Sequence, residues 1–125
     1  MTLRVFESLL LLFYFDVTMR FRNFGAVCSV VKEHGIQSRP ARPIARMDEL
    51  CRPIDVACAF YFRRVHCLQR SAATAILLRR HGFDARMVIG AQIIPFKAHA
   101  WVEVDGRVVN DKPYMSDIYS VLERC

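Results

Sequence analysis

"HAWVEVDGRVVND", residues 99–111, alternates apolar and polar residues on both sides of Asp105-Gly106, the pattern of two short strands joined by a tight turn. Two loop lengths fit it. A two-residue turn at Asp105-Gly106 pairs Val104 with Arg107, leaves His99 opposite Lys112 and turns Asp111 to the other side. A three-residue loop over residues 104–106, with glycine in the left-handed position, pairs Glu103 with Arg107, Val102 with Val108, Trp101 with Val109 and His99 with Asp111. The longer loop is the preferred reading, because it matches one opposite-charge pair and two apolar pairs across the strands. It also sets an imidazole beside a carboxylate, an arrangement that fixes the tautomer of the ring and stabilises its protonated form.

Such a histidine has a use when a nucleophile lies on its other side. Upstream, "CLQRSAATAILLRRHG" (residues 67–82) reads as a helix that begins at Cys67 and stops at Gly82. Ser71, Ala72, Ala73 and Ala75 put small residues on consecutive turns, which permits close packing. A helix N-terminus and a neighbouring imidazolium both favour a thiolate over a thiol. Cys67 is therefore the candidate nucleophile, His99 its proton carrier and Asp111 the group that orients the histidine. The backbone amide of Cys67 is the better oxyanion donor, and Gln69 the poorer one because its side chain is expected to face solvent.

The rest of the chain is read around this core. Residues 2–15 form an almost wholly apolar helix, and residues 16–33 continue it or form a second one, ended by Gly35. Residues 36–46, with two prolines and three arginines, make an exposed connector. A helix starts near Met47 or Asp48, restarts at Pro53 and runs on through "IDVACAFYFRRV". Strands are expected at residues 85–89, 98–103 and 107–110, and a final helix at residues 114–122. The result is one α+β domain over residues 1–125, a helical layer packed on one face of a small antiparallel sheet. Residues 1–46 supply the N-terminal helices and connector, and residues 47–125 the catalytic core.

Composition excludes several classes. At 125 residues, with 54% hydrophobic and 24% charged residues, the chain is long enough for one core and too apolar for disorder. The net charge of +6 comes from scattered arginines, among them Arg39, Arg42, Arg63-Arg64 and Arg79-Arg80, which read as solvated faces. No run of basic residues interleaved with aromatics points to nucleic acid. The five cysteines include no C-x-x-C pair, so no metal site is expected; reduced thiols in a cytoplasmic protein fit best, with Cys28 and Cys58 as small core residues. The apolar run at residues 8–15, bracketed by Glu7 and Asp16, is too short to span a bilayer. It reads as a helix buried on most of its surface.

Taken singly, Cys67 reads as a small buried residue, His99 as a sheet histidine and Asp111 as a strand-ending turn residue. The joint pattern resembles the leader peptidases of lasso peptide biosynthesis, which are transglutaminase-like cysteine proteases. The likeness rests on "CLQRSAATAILLRRHGFDARMVIGAQ" and "PFKAHAWVEVDGRVVND", is close over residues 65–111 and looser towards both ends. It implies a papain/transglutaminase-like core, with nucleophile, histidine and acid on Cys67, His99 and Asp111. It further implies removal of the leader from a ribosomally made precursor peptide, before an ATP-dependent cyclase closes the ring, with no cofactor on the peptidase itself. Some members carry a winged-helix leader-recognition domain; no β-rich segment precedes residue 46 here, so a separate recognition protein is expected. Transglutaminase-type acyl transfer and a non-catalytic adaptor role are the alternatives.

Overall fold

The computed structural model describes residues 2–36, 45–62, 64–93 and 95–125. Most of the expected connector, Arg39 and Arg42 included, lies outside the described residues, as does Arg63. Four helices, α1 (Thr2–Phe21), α2 (Phe24–Glu33), α3 (Ala45–Phe60) and α4 (Cys67–Arg80), precede strands β1 (Ala85–Gln92), β2 (Lys97–Val104) and β3 (Arg107–Val108). A single helical turn, α5 (Met115–Ile118), and a last strand, β4 (Ser120–Arg124), complete the chain. The sheet is antiparallel in the order β3-β2-β1-β4. This is the expected α+β architecture of helices on a small antiparallel sheet.

The break between α1 and α2 comes from Asn23, whose side chain caps α2 by accepting a hydrogen bond from the Ala26 amide at 3.0 Å. Pro53 does not divide α3, which runs through it; the proline is buried and costs one helical hydrogen bond, not the helix. That helix also ends at Phe60, before the arginines expected to continue it. Gly82 stops α4 as anticipated, with φ +89° and two closing bonds, from Gly82 N to Arg79 O and from Phe83 N to Leu78 O.

The core lies between the helices and the inner face of the sheet. Leu12, Phe15, Val27, Val31, Leu77, Met87 and Val102 are fully or almost fully buried there. The small residues of α4 do what their size permits: Ala72, Ala73 and Ala75 are completely buried, and Ser71 nearly so. Val88, Trp101 and Met115 form a second apolar cluster on the opposite sheet face. Among the described residues, no helix is long and apolar enough to cross a membrane. The run at residues 8–15, expected to be buried on most of its surface, is buried on one side, at Ser8, Leu11, Leu12 and Phe15, while Leu10, Phe13 and Tyr14 on the other side are at least half exposed. Only the Leu12-Phe15 side of α1 meets the core.

Three further readings are overturned by contacts between distant segments. Residues 114–122 are not one helix: after one turn the chain extends as β4 and covers the free edge of β1. Cys28 and Cys125, both buried, form a disulfide across a sequence separation of 97, so the five cysteines are not all reduced. Arg79 is not on a solvated face but 5% exposed, donating hydrogen bonds to the carbonyls of Val31, His34, Ala85 and Cys125. It ties the end of α2, the start of β1 and the C-terminal residue together. Burial first, and then Arg86, push its guanidinium below the usual arginine range. Its neighbour Arg80 pairs with Glu7 of α1 at 2.5 Å.

Candidate active site

Cys67 is the first residue of α4, preceded by His66 in extended backbone at the N-cap. It is a free, partly buried thiol. The start of this helix is locked by Gln69, which is fully buried and does not face solvent. Its side-chain amide donates to Leu12 O of α1 at 2.7 Å, and its carbonyl accepts from His66 N at 3.3 Å. Gln69 thus positions the nucleophile candidate against α1, a structural task that sets it apart from the oxyanion role. The amides of the first helical turn, with no partner inside the helix, remain the natural donors there.

The hairpin closes differently from the preferred reading. Asp105 and Gly106 have φ of +51° and +77°, a two-residue turn with both residues left-handed. Val104 pairs with Arg107 and Glu103 with Val108, and Val109 N donates to Val102 O. The Glu103–Arg107, Val102–Val108 and Trp101–Val109 pairs of the longer loop are therefore absent. Glu103 instead accepts from the Trp101 indole at 3.0 Å and lies 3.7 Å from Arg124 of β4. Nevertheless His99 Nε2 sits 2.5 Å from Asp111 Oδ2.

Asn110 explains the contradiction. In a continued ladder of this register Asp111 would point away from His99. The strand ends instead, because the Asn110 side chain takes the next ladder position. Its carbonyl accepts from Val102 N at 2.8 Å, and its amide nitrogen donates to Ser71 Oγ of α4 at 3.2 Å. Residues 109–111 bend out of the sheet, and the Asp111 carboxylate swings to the imidazole. Its other oxygen, Oδ1, accepts from Lys112 N at 2.8 Å, which fixes the plane of the carboxylate. The two side chains are each about a quarter exposed, 27% for His99 and 26% for Asp111.

The imidazole is also held from its flanks. Tyr119, at the entry to β4, stacks on it with centroids 5.5 Å apart, and Trp101 lies 6.2 Å away at a similar tilt. Gly90, directly opposite His99 in the sheet, makes room for both rings. With Nε2 committed to Asp111, Nδ1 is the nitrogen left to exchange a proton.

Cys67, His99 and Asp111 line one polar cleft of about 450 Å³ with Arg64, Arg70, Ser71 and Asn110. Arg70 in turn pairs with Asp55 of α3. A second, mostly apolar hollow of about 490 Å³ shares His66, Cys67, His99 and Ala100 with this cleft and adds Met19, Leu68, Ile89 and Ala98 to its walls. The three residues singled out from sequence therefore meet, two of them in direct contact. Asn110, Tyr119 and Gln69 were missed as positioning groups. An asparagine next to the acid, with a donor and an acceptor on one side chain, was the only available signal for Asn110; nothing local marked Tyr119.

A family model described as the transglutaminase-like superfamily matches residues 11–124, and the chain belongs to that superfamily. The microcin J25-processing protein McjB of Escherichia coli is 46% identical to it over 56 residues, 45% of this chain. That stretch spans only 27% of the length of McjB. No solved structure matches the chain.

Proposed function

We propose that this chain is a cysteine peptidase that removes the leader from a ribosomally made lasso peptide precursor, with Cys67, His99 and Asp111 as its triad. The observation that carries the reading is that a free cysteine at a helix start and an Asp-held histidine line the same cleft. The likeness to a microcin-processing protein supports the substrate class. In the reaction the Cys67 sulfur, as thiolate, attacks the scissile carbonyl carbon, and first-turn amides of α4 receive the oxyanion. The C–N bond breaks as His99 gives its proton to the leaving amine. Water then attacks the thioester, His99 takes up the proton, and the acid product leaves Cys67 free. Asp111 keeps the ring oriented and stabilises its charged form throughout. The proposed partners are the precursor peptide, a separate winged-helix leader-recognition protein and an ATP-dependent cyclase.

The test is incubation of the protein with the precursor encoded beside its gene, with and without a leader-binding partner, read by mass spectrometry. The parent releases free leader acid and Cys67→Ala releases none. An amide-linked product in place of the acid would mean acyl transfer. Release by Cys67→Ala at the parent rate would leave the adaptor role.

A further inference from the structure

The outward face of α1 is apolar from end to end. Leu3, Phe6, Leu10, Phe13, Tyr14, Val17 and Phe21 are each between 39% and 81% exposed. At 3.6 residues per turn these seven project within an arc of about 100°, opposite Ser8, Leu11, Leu12 and Phe15, which are buried. No charged residue is exposed between Leu3 and Val17. Glu7 and Asp16, only partly exposed, are held by Arg80 and Tyr61. A helix that is apolar all round belongs inside a larger assembly, and no described helix crosses a membrane. We infer that a second copy of this chain covers the face, α1 packing antiparallel on α1 about a twofold axis between Leu11 and Leu12. The inference stands apart from the reading of Cys67 as nucleophile.

Spacing, size and area each point to a copy of the same helix. Leu3, Phe6, Leu10, Phe13 and Val17 follow one another at alternating intervals of three and four, the seam by which one helix interlocks with another. A twofold interface must be complementary to itself. With the axis between Leu11 and Leu12, Phe6 meets the partner's Val17 and Leu10 meets the partner's Phe13, so each ring lies against a smaller side chain. Leu3 meets the hydrocarbon stem of the partner's Arg20. With a whole aromatic side chain worth roughly 150–250 Å², the four partly exposed rings and three aliphatic groups present on the order of 700 Å² of apolar surface. That exceeds the largest patch of a typical monomer, about 300–600 Å², and approaches the ~800 Å² per partner of a standard interface. A lipid surface is met by an apolar face rimmed with lysine and arginine, whereas Arg20 is the single exposed charge among the described side chains of α1.

Sedimentation velocity of the intact protein between about 1 and 100 μM tests this. The parent should sediment at twice the chain mass of 14.5 kDa. Leu10→Lys and Phe13→Glu replace exposed side chains, so each should keep the parent's thermal melt while weakening association at least about 100-fold, because a charge is buried without a partner. Mixing the two variants should restore a dimer that contains one of each. Antiparallel packing sets the introduced ammonium at position 10 against the introduced carboxylate at position 13, and leaves Leu10 on Phe13 at the symmetry-related contact. A parent that stays monomeric to 100 μM overturns the inference, as do single variants that dimerise like the parent or a mixture that stays monomeric. A monomeric parent that binds vesicles of phosphatidylcholine and phosphatidylglycerol, or the leader-recognition protein, and loses that binding in Phe13→Glu gives the face another occupant and equally overturns it.

Discussion

Gly90 is where packing in the sheet and orientation of His99 meet. A Cβ built there would lie 2.8 Å from Trp101 Cη2, 2.9 Å from Tyr119 Cβ and 3.0 Å from Trp101 Cζ3. Trp101 is completely buried, so its ring cannot turn aside, and Tyr119 Cβ is fixed to the backbone at the start of β4. Gly90→Ala must therefore move backbone or a buried indole. Over-packing of this kind costs about 1–3 kcal/mol. Removing glycine's freedom in the unfolded chain returns about 0.4–1 kcal/mol, which leaves a net loss near 1–2 kcal/mol. For a domain of this size each kcal/mol shifts Tm by roughly 3–5 °C, so a fall of about 3–10 °C is expected by calorimetry. Cleavage should fall as well, because both displaced rings flank His99. Gly35→Ala is the control: nothing lies within 4 Å of its added Cβ, and its Tm should hold or rise slightly. Trp101→Phe combined with Gly90→Ala should cost less than the sum of the two single changes, since the smaller ring vacates the contacted atoms. A Gly90→Ala protein with the parent's Tm and full cleavage would refute the reasoning.

Asp111→Asn keeps the shape of the acid but not its charge, and cleavage of the precursor should drop by about 10–10³-fold. That is less than the ~10⁴-fold of a serine triad, because a cysteine nucleophile depends less on its general base than a serine does; an unchanged rate would remove Asp111 from the mechanism. Reduction of the Cys28–Cys125 bond, which closes a long loop, should lower stability to denaturant by about 2–4 kcal/mol. Five alkylatable thiols in the unfolded, unreduced protein would disprove the bond. Burial and then the hydrogen bond to Asp16 raise the Tyr61 phenol to about 12, so its contribution to stability is complete below about 10 and is lost as pH rises from there through 12. In an ultraviolet pH titration, Asp16→Asn should bring the phenol only part of the way back, since burial is the larger cause; no movement at all would rule the hydrogen bond out.

Short-range patterns carried much of this protein. The α4 helix, its start at Cys67 and its stop at Gly82 were legible because capping, small-residue spacing and glycine's left-handed freedom act within a few residues. So were the strands of the hairpin and the α+β class, which follow from local period and element order. The hairpin register was not legible: both loop lengths satisfy the strand pattern, and the choice fell to a turn geometry that Asp105 and Gly106 adopt jointly. Whether His99 meets Asp111 was decided by Asn110, whose bonds to Val102 and Ser71 join a strand to a helix 39 residues away in sequence. The C-terminal segment looks amphipathic in isolation and becomes a strand because β1 offers an unpaired edge. Arg79 resembles any surface arginine until four carbonyls from three segments converge on it. Residue type and local spacing nominated Cys67, His99 and Asp111; hydrogen bonds that close only when distant segments pack brought them to one cleft.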